Sequence, residues 1–147
     1  MIYQGFGRKL HHAIPSWVEP GAVFHIRIRC APTNDTSLIH DEIGKALLDS
    51  VRLYTDQQLW FPTLWLLMPD HVHALVSFAP DKPMSQIVGD WKRWQSKTHG
   101  VQWQGNFFDH RIRDDEQLEK KFWYIRNNPV VKGLCAEPED WPWFFAA

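Results

Sequence analysis

The sequence predicts a single α+β domain in which helices pack on one face of an antiparallel sheet. Three observations predict it: segments in which apolar and polar residues alternate, segments in which apolar residues recur at helical spacing, and the mixed order of the two kinds along the chain. A chain of 147 residues with 44% hydrophobic content is long enough for one compact core and short for two. We therefore expect one domain over residues 1–147.

The chain begins with an arm and a basic strand. Residues 1–21 are rich in proline, histidine and basic residues and lack sustained periodicity, which indicates an N-terminal arm. Residues 23–30 alternate between apolar and polar side chains, and this pattern predicts a strand. His25, Arg27 and Arg29 make up its polar side, so we expect this face of the strand to be basic.

A helix and a β-hairpin are predicted next. Apolar residues within 39–54 recur at helical spacing and predict an amphipathic helix. Two apolar, strand-sized runs, 60–68 and 71–78, are separated by Pro69 and Asp70, which supply a turn. A hairpin is the natural geometry for such a pair.

The second half of the chain predicts a helix, a strand and a further helix near the C-terminus. These elements cover residues 84–97, 101–108 and 115–128, and residues 135–147 are interpreted as an irregular aromatic tail. The resulting order, β, α, β, β, α, β, α, suits a ferredoxin-like arrangement. In that arrangement the first and third strands are neighbours at the centre of the sheet, and their polar sides share one face.

The charge of the chain is segregated, although the net charge is only −1. Basic side chains are concentrated in residues 1–30 and 82–113, and acidic ones in residues 31–81 and 114–147. Nine tryptophans and nine phenylalanines supply planar rings on which bases can stack, although we expect most of them in the core. The charge pattern alone fits either a solvated face or a surface that binds nucleic acid.

Cysteine content and apolar run length favour a cytoplasmic protein. Cys30 and Cys135 stand at no metal-ligand spacing and are interpreted as buried thiols. No apolar run approaches the roughly 20 residues that a membrane-spanning helix needs. The N-terminus does not resemble a signal peptide. We expect no insertion into a membrane.

His71 and His73 are candidate metal ligands. Residues two apart on a strand point the same way, so the two imidazoles project together while Val72 faces the core. Two convergent imidazoles form half of a metal site. The same pattern arises on exposed strand faces without any function, so spacing alone leaves both interpretations open.

Tyr124 is a candidate nucleophile. On the helix predicted at 115–128, Tyr124 lies outside the apolar stripe, on a flank that also carries Asn128, Lys120 and Lys121. A phenol beside lysines can attack phosphorus, because the cations stabilise the phenolate and the incoming phosphate. A surface tyrosine without a catalytic role is the alternative.

These two sites and their spacing resemble the single-tyrosine HUH transposases. The resemblance rests on residues 68–76 (MPDHVHALV), 124–134 (YIRNNPVVKGL) and 138–143 (PEDWPW), and on a basic stretch with a tryptophan before Pro20 and Gly21. It covers nearly the whole chain, and it is strongest to the REP-associated tyrosine transposases.

The resemblance implies a metal-dependent enzyme that cuts DNA. His71 and His73 correspond to metal ligands of the family and Tyr124 to its nucleophile. Asn128 corresponds to a further ligand, whose amide oxygen suits Mg²⁺ or Mn²⁺. The implied reaction leaves a 5′-phosphotyrosine and a free 3′-OH, and it needs no nucleotide cofactor. The implied substrate is an imperfect hairpin in single-stranded DNA, and the implied oligomeric state is a monomer.

Basic residues are candidate contacts to the DNA backbone. They are Arg8, Lys9, Arg27, Arg29, Lys92, Arg93, Arg111, Arg113, Lys120 and Lys121. His25 and His110 stand alone in the sequence, and we interpret them as structural histidines.

Two other functions are compatible with parts of this pattern. A domesticated hairpin-binding protein would keep the fold without the reaction, but the intact His71, His73 and Tyr124 argue against it. A metal-dependent small-molecule enzyme of the cupin kind would need a further histidine and a carboxylate on nearby strands. It would also need many glycine-punctuated turns, whereas this chain predicts three helices.

Overall fold

A computed structural model describes residues 21–146 of the protein. Its elements, in chain order, are β1 (Phe24–Arg29), α1 (Asp41–Asp56), β2 (Trp60–Leu67), β3 (His71–Phe78), α2 (Met84–His99), β4 (Phe108–Arg111), α3 (Asp115–Arg126), α4 (Asn128–Val131), a 3-10 helix (Pro138–Asp140) and β5 (Phe144–Ala146). None of the helices in this range is long and apolar enough to cross a membrane. Arg8 and Lys9, on the predicted arm, lie outside the described residues.

The five strands form one antiparallel sheet in the order β4-β1-β3-β2-β5. In the register of β1 against β3, Arg27 lies opposite His73 and Arg29 lies opposite His71. The predicted α+β class and the predicted adjacency of the first and third strands are confirmed. Because side chains alternate along a strand, these four residues share one side of the sheet, which we call the histidine face.

Helices α1 and α2 together cover the opposite face, as predicted. Leu47 and Val51 of α1 are fully buried there. Trp65 of β2 meets Trp60 at a centroid distance of 4.6 Å and Trp91 of α2 at 5.1 Å. Aromatic pairs at such distances stabilise a core beyond the area that they bury. This layer therefore fixes the sheet from the side away from the histidines.

Helix α3 lies on the histidine face, which differs from the prediction that helices occupy one face only. Leu118, Phe122 and Ile125 of α3 pack against Leu64 and Leu66 of β2 in a second core. The physical reason is that β2 carries apolar side chains on both of its sides. A strand of that kind has to be buried on both faces, which requires a second layer.

Strand β4 begins later than the strand predicted at 101–108. Gly100, in the left-handed conformation with φ of 74°, ends α2. The chain then forms an isolated bridge between Trp103 and Cys30, the residue after β1. The indole Nε1 of Trp103 donates to the backbone carbonyl of Lys92 at 3.1 Å, which holds this segment against α2. Regular pairing with β1 starts only at Phe108.

The tail predicted to be irregular ends in β5, which pairs with the edge of β2. Trp141 Nε1 donates to the carbonyl oxygen of Leu67 at 3.0 Å. The guanidinium of Arg126 lies 4.1 Å from the ring centre of Phe144 and donates to the carbonyl oxygen of Pro138 at 3.1 Å. These contacts fix the end of α3, the helix that carries the candidate nucleophile.

Candidate active site

The two candidate metal ligands project from β3 onto the histidine face. His71 is 8% exposed and His73 is 4% exposed, so the protein holds both imidazoles in a defined place. Their ring centroids are 4.9 Å apart. Arg29 and Arg27 are their respective partners on β1. Two imidazoles and two guanidinium groups therefore occupy neighbouring positions on the sheet.

A carboxylate orients His71. Nδ1 of His71 lies 2.8 Å from Oδ1 of Asp70. Because a carboxylate only accepts, Nδ1 donates the proton, and the lone pair on Nε2 is left for a metal. Burial lowers the pKa of His71, although the hydrogen bond to Asp70 and its charge oppose that shift. The same hydrogen bond holds the pKa of Asp70 below its usual range.

A third histidine, His25 of β1, contacts His73. Nε2 of His25 lies 3.1 Å from Nδ1 of His73, and the rings stack with centroids 5.3 Å apart. Burial, followed by the charges of neighbouring basic groups, lowers the pKa of His73 to about 3 and that of His25 to about 4. Both rings are therefore neutral at pH 7. If Nδ1 of His73 donates this hydrogen bond, its Nε2 keeps a lone pair for a metal.

Helix α3 brings Tyr124 to the histidine face. Asp114 caps the helix by accepting from the backbone N–H of Gln117 at 2.8 Å. Phe122 belongs to the buried stripe, whereas Tyr124 lies on the flank and is 60% exposed. The ammonium group of Lys121 lies 5.4 Å from the ring centre of Tyr124. A cation in this position can stabilise negative charge on a phenolate or a phosphate.

Tyr124, His71 and His73 line one open cleft of about 480 Å³. Arg27 and Arg29 line it as well. The structure thus brings together a phenol from a C-terminal helix and two imidazoles from a central strand. The cleft offers a phenol, two imidazoles and fixed positive charge around one space that solvent can enter.

Asn128 lines the same cleft. Helix α3 ends at Arg126, and α4 starts at Asn128 after a break at Asn127. Pro129 has no N–H to continue the hydrogen bonding of α3, and it occupies the first turn of α4. Asn128 is 8% exposed, and no residue within 21–146 hydrogen-bonds its side-chain amide. An amide without a protein partner, in the wall of a cleft, is free to engage a ligand.

These residues fit a divalent cation. Two neutral imidazoles and one amide oxygen are donors that Mn²⁺ and Mg²⁺ accept. The described part of the chain contains no group of three or more histidine, cysteine, aspartate and glutamate side chains placed to hold a metal. The protein would therefore supply an incomplete set of ligands, which leaves positions for water or phosphate oxygens.

Four of the candidate DNA contacts border the site. Arg27 and Arg29 line the cleft itself. Lys120 and Lys121 line a neighbouring cleft of about 350 Å³, to which Tyr124 also belongs. The phenol therefore stands between two basic recesses, a position that suits a strand of DNA passing across it.

The other described candidates do not line these two clefts. Lys92 and Arg93 belong to α2, on the opposite side of the sheet. Arg111 is the β4 partner of Phe24, so strand alternation places it on that opposite side too. Arg113 is exposed just before α3. Whether these four residues contact DNA stays a prediction.

Sequence reasoning missed two residues that contact the histidine pair. His25, interpreted as a lone histidine, bonds His73. Its position on the polar side of β1 was visible, but the register that brings it to His73 was not. Asp70 was assigned to a turn, and in addition it orients His71. A carboxylate directly before a candidate ligand was the available signal.

The chain belongs to the family of IS200-like transposases. The sequence model of that family matches residues 22–128, a span that begins just before β1 and ends at Asn128. The predicted resemblance to this class of protein is confirmed. The membership also argues against a cupin-like enzyme.

The chain is similar to REP-associated tyrosine transposases in sequence and in fold. It is 28% identical to the REP-associated tyrosine transposase of Escherichia coli, over 53% of this chain and 49% of that protein. It is 26% identical to an uncharacterised protein of Haemophilus influenzae, over 46% of this chain and 53% of that protein. These alignments span about half the length of each relative. A solved structure of a REP-associated tyrosine transposase bound to a REP hairpin shares the fold, with a TM-score of 0.72 at 19% identity over 93% of this chain and 81% of that chain.

Proposed function

We propose that this protein cuts and rejoins single-stranded DNA at hairpins of the REP type, with Tyr124 as the nucleophile and with a divalent metal. The observation that carries the proposal is the single cleft that Tyr124 shares with His71 and His73. Membership of a transposase family supports a DNA-processing activity. The hairpin bound by a transposase of the same fold supports the choice of substrate.

The reaction begins when the hydroxyl oxygen of Tyr124 attacks the phosphorus of one phosphodiester. The phenol gives its proton to water, a bond forms between the phenolic oxygen and phosphorus, and the bond from phosphorus to the 3′-oxygen breaks. The 3′-oxygen takes up a proton, which leaves a free 3′-OH and a 5′-phosphotyrosine. Attack of a 3′-OH on the phosphotyrosine restores a phosphodiester and releases Tyr124, so no nucleotide cofactor is consumed.

The surroundings of Tyr124 suit this attack. Its exposed position lets a single strand reach the hydroxyl from solvent. Lys121 supplies positive charge beside the phenolate that forms during attack. Arg27 and Arg29 line the same cleft and can donate to the non-bridging oxygens of the scissile phosphate. Since the phenol and the imidazoles come from one chain, a monomer suffices for the reaction.

His71, His73 and Asn128 are the residues that would hold Mg²⁺ or Mn²⁺. The ion would supply polarisation of a non-bridging oxygen of the phosphate. The chain prepares the site in two ways: burial keeps both imidazoles neutral, and Asp70 fixes the ring of His71. Both effects leave nitrogen lone pairs available before DNA arrives.

A covalent adduct tests the proposal. The protein is incubated with Mn²⁺ and with hairpin DNA that carries randomised single-stranded flanks, and adducts are resolved on a denaturing gel. We expect an adduct that Tyr124→Phe abolishes. Tyr54→Phe is the matched control, because Tyr54 is buried against Trp60 beneath the other face of the sheet, and it should retain the adduct. An adduct that survives Tyr124→Phe would exclude Tyr124 as the nucleophile.

His71→Ala separates the metal site from DNA binding. We expect this variant to form no adduct and to bind the hairpin nearly as well as the unchanged protein does. Loss of binding in a variant that still folds would mean that the imidazoles contact DNA. The unchanged protein could instead bind the hairpin but form no adduct in either Mg²⁺ or Mn²⁺. That result would indicate a hairpin-binding protein without catalytic activity.

A further inference from the structure

A smaller cleft adjoins the candidate active site through Arg27 and Arg29. These two side chains line the Tyr124 cleft and also a recess of about 230 Å³. The rest of the recess is formed by the segment that leads into β4, namely Gln104, Asn106, Phe107 and Phe108. We call it the β4 cleft. None of these four residues takes part in the reaction described above.

The register of the sheet places the β4 cleft beside the histidines. Arg27 pairs with Phe108 on one side and with His73 on the other, so the three residues form a row across β4, β1 and β3. Two strand spacings, about 10 Å, separate the ends of this row. Cζ of Arg27 lies 4.7 Å from the ring centre of Phe108. One cation therefore links the aromatic ring to the metal-ligand strand.

The lining of the β4 cleft matches the chemistry of an unpaired nucleobase. Phe108 is 43% exposed, although it is large and apolar, and so offers a ring on which a base can stack. The side-chain amides of Gln104 and Asn106 contain donors and acceptors, which can hydrogen-bond the edge of a base. No carboxylate is among the described residues that line the recess, a composition that tolerates the adjoining phosphates.

The segment that carries these groups is held in place by its backbone. The N–H of Gln104 donates to the carbonyl oxygen of Arg29 at 2.9 Å, and its carbonyl oxygen accepts from Nζ of Lys92 at 2.8 Å. Phe107 packs into the core beneath the other face of the sheet. Within residues 21–146, the side-chain amides of Gln104 and Asn106 have no hydrogen-bond partner. A fixed backbone thus presents polar groups that a ligand can engage.

We infer that the β4 cleft binds the unpaired base of a nucleotide adjoining the scissile phosphate, and that Phe108 and Asn106 thereby select where the strand is cut. The inference rests on the proposed function. The recess is smaller than the roughly 300–1,000 Å³ of pockets that enclose a drug-sized ligand, which fits one flat base. Arg27 and Arg29, shared by both clefts, hold the phosphate between the base and the site of attack.

Hairpins that lack single bases test this inference. The Tyr124→Phe protein is titrated with hairpin DNA selected by its own binding from the randomised pool, and with versions that are abasic at one flanking position at a time. Loss of the base that occupies the β4 cleft should weaken binding about fivefold to a hundredfold, the range for one stacked base. Adding Phe108→Ala should remove that penalty at this position alone, because the stacking partner is already gone.

Two further variants complete the design. Trp94→Ala is the matched control, since Trp94 is a partly exposed aromatic residue of α2 that lines neither cleft, and it should leave every abasic penalty unchanged. Asn106→Asp replaces a donor by an acceptor on an exposed side chain. Its negative charge should weaken binding of every DNA, and beyond that general loss it should change which base is preferred at the same position. This second variant tests the inference even if Phe108→Ala does not fold.

The outcomes separate this inference from the proposed function. Phe108→Ala could change the abasic penalty at no position while the unchanged protein still forms adducts. That result would overturn the base-binding role of the β4 cleft and leave the proposed cleavage intact. A penalty that Phe108→Ala removes at a position away from the mapped cut would overturn it too. Phe108→Ala could remove an abasic penalty although the unchanged protein never forms an adduct. That result would support a cleft that binds a base and would refute cleavage.

Discussion

Replacement of His25 by alanine is expected to weaken metal binding although His25 is not among the proposed ligands. Its Nε2 lies 3.1 Å from Nδ1 of the buried His73, and no other hydrogen bond within residues 21–146 engages that nitrogen. Without His25, the ring of His73 can turn, and either of its nitrogens can carry the proton. If His73 holds the metal as proposed, His25 acts on the metal through His73, as a positioning residue.

The size of the effect follows from what remains in the variant. Loss of the partner that fixes a metal-binding histidine costs about 10- to 100-fold in affinity, which is about 1.4 to 2.8 kcal/mol. Asp70 still orients His71 in the variant, so only one of the two imidazoles loses its partner. We therefore expect the lower end of this range, about tenfold.

Calorimetric titration of Mn²⁺ into the Tyr124→Phe protein, with and without His25→Ala, measures this effect. His110→Ala is the control. His110 lies on β4 as the cross-strand partner of His25, but its side chain is exposed. His25→Gln should recover part of the affinity, since its amide oxygen can accept from Nδ1 of His73. Equal affinities in His25→Ala and the parent protein, with both folded, would refute the reasoning.

Three predictions concern stability. Gly44→Ala should destabilise the protein by about 1–3 kcal/mol, because a Cβ there would lie 2.5 Å from the ring of Trp143, and such overpacking in a core is costly. Gly89→Ala, on the other long helix, should stabilise it by about 0.5–1 kcal/mol, since its Cβ would meet nothing closer than Arg93 at 3.5 Å. Urea unfolding compares the two, and equal shifts would contradict the Trp143 contact. The metal-free protein should also lose stability as the pH falls from about 6.5 to about 4. The pKa of His25 is 6.5 in the unfolded chain and about 4 in the folded protein, so the unfolded state binds more protons throughout that interval. Urea midpoints should fall across it, and they should fall less steeply in His25→Gln; a flat profile in the parent protein would contradict the burial of neutral imidazoles.

Periodicity was sufficient to predict most of the elements. The alternation in residues 23–30 and 71–78 marks β1 and β3, and helical spacing marks α1 and α2. The adjacency of β1 and β3 then followed from the order of the elements, because few chain paths join such a series into one sheet. Long segments with a clear apolar side give the strongest local signal, and these four elements are of that kind.

Periodicity along single elements did not predict the second layer. Residues 60–68 are apolar on both sides of the strand, and a strand of that kind needs burial on both faces. The sequence shows that this strand is apolar on both sides, but the ferredoxin-like arrangement places all helices on one face. The prediction therefore places α3 on the side of α1 and α2. The late start of β4 left no such local signal, because it depends on the contact between Trp103 and the carbonyl of Lys92.

The sequence likewise predicts some features of the candidate site and leaves others to packing and register. The common direction of His71 and His73 follows from the period of a strand, and the exposed flank position of Tyr124 follows from the period of a helix. Their shared cleft depends on α3 packing over the histidine face, which the apolar stripe of α3 and the double-sided β2 determine together. The contact between His25 and His73 depends on register, and register is a relation between strands that neither strand contains alone.

Register also explains how cations can lie beside the proposed metal ligands. Arg27 and Arg29 are the cross-strand partners of His73 and His71, and their charges add to burial in lowering the pKa of both imidazoles. A histidine kept neutral retains the lone pair that a metal needs, so these arginines favour the form of the imidazoles that the proposed metal site requires. A shift of β1 by one residue would turn both guanidinium groups to the opposite face of the sheet. The histidines and the cleft would then lose two neighbouring positive charges.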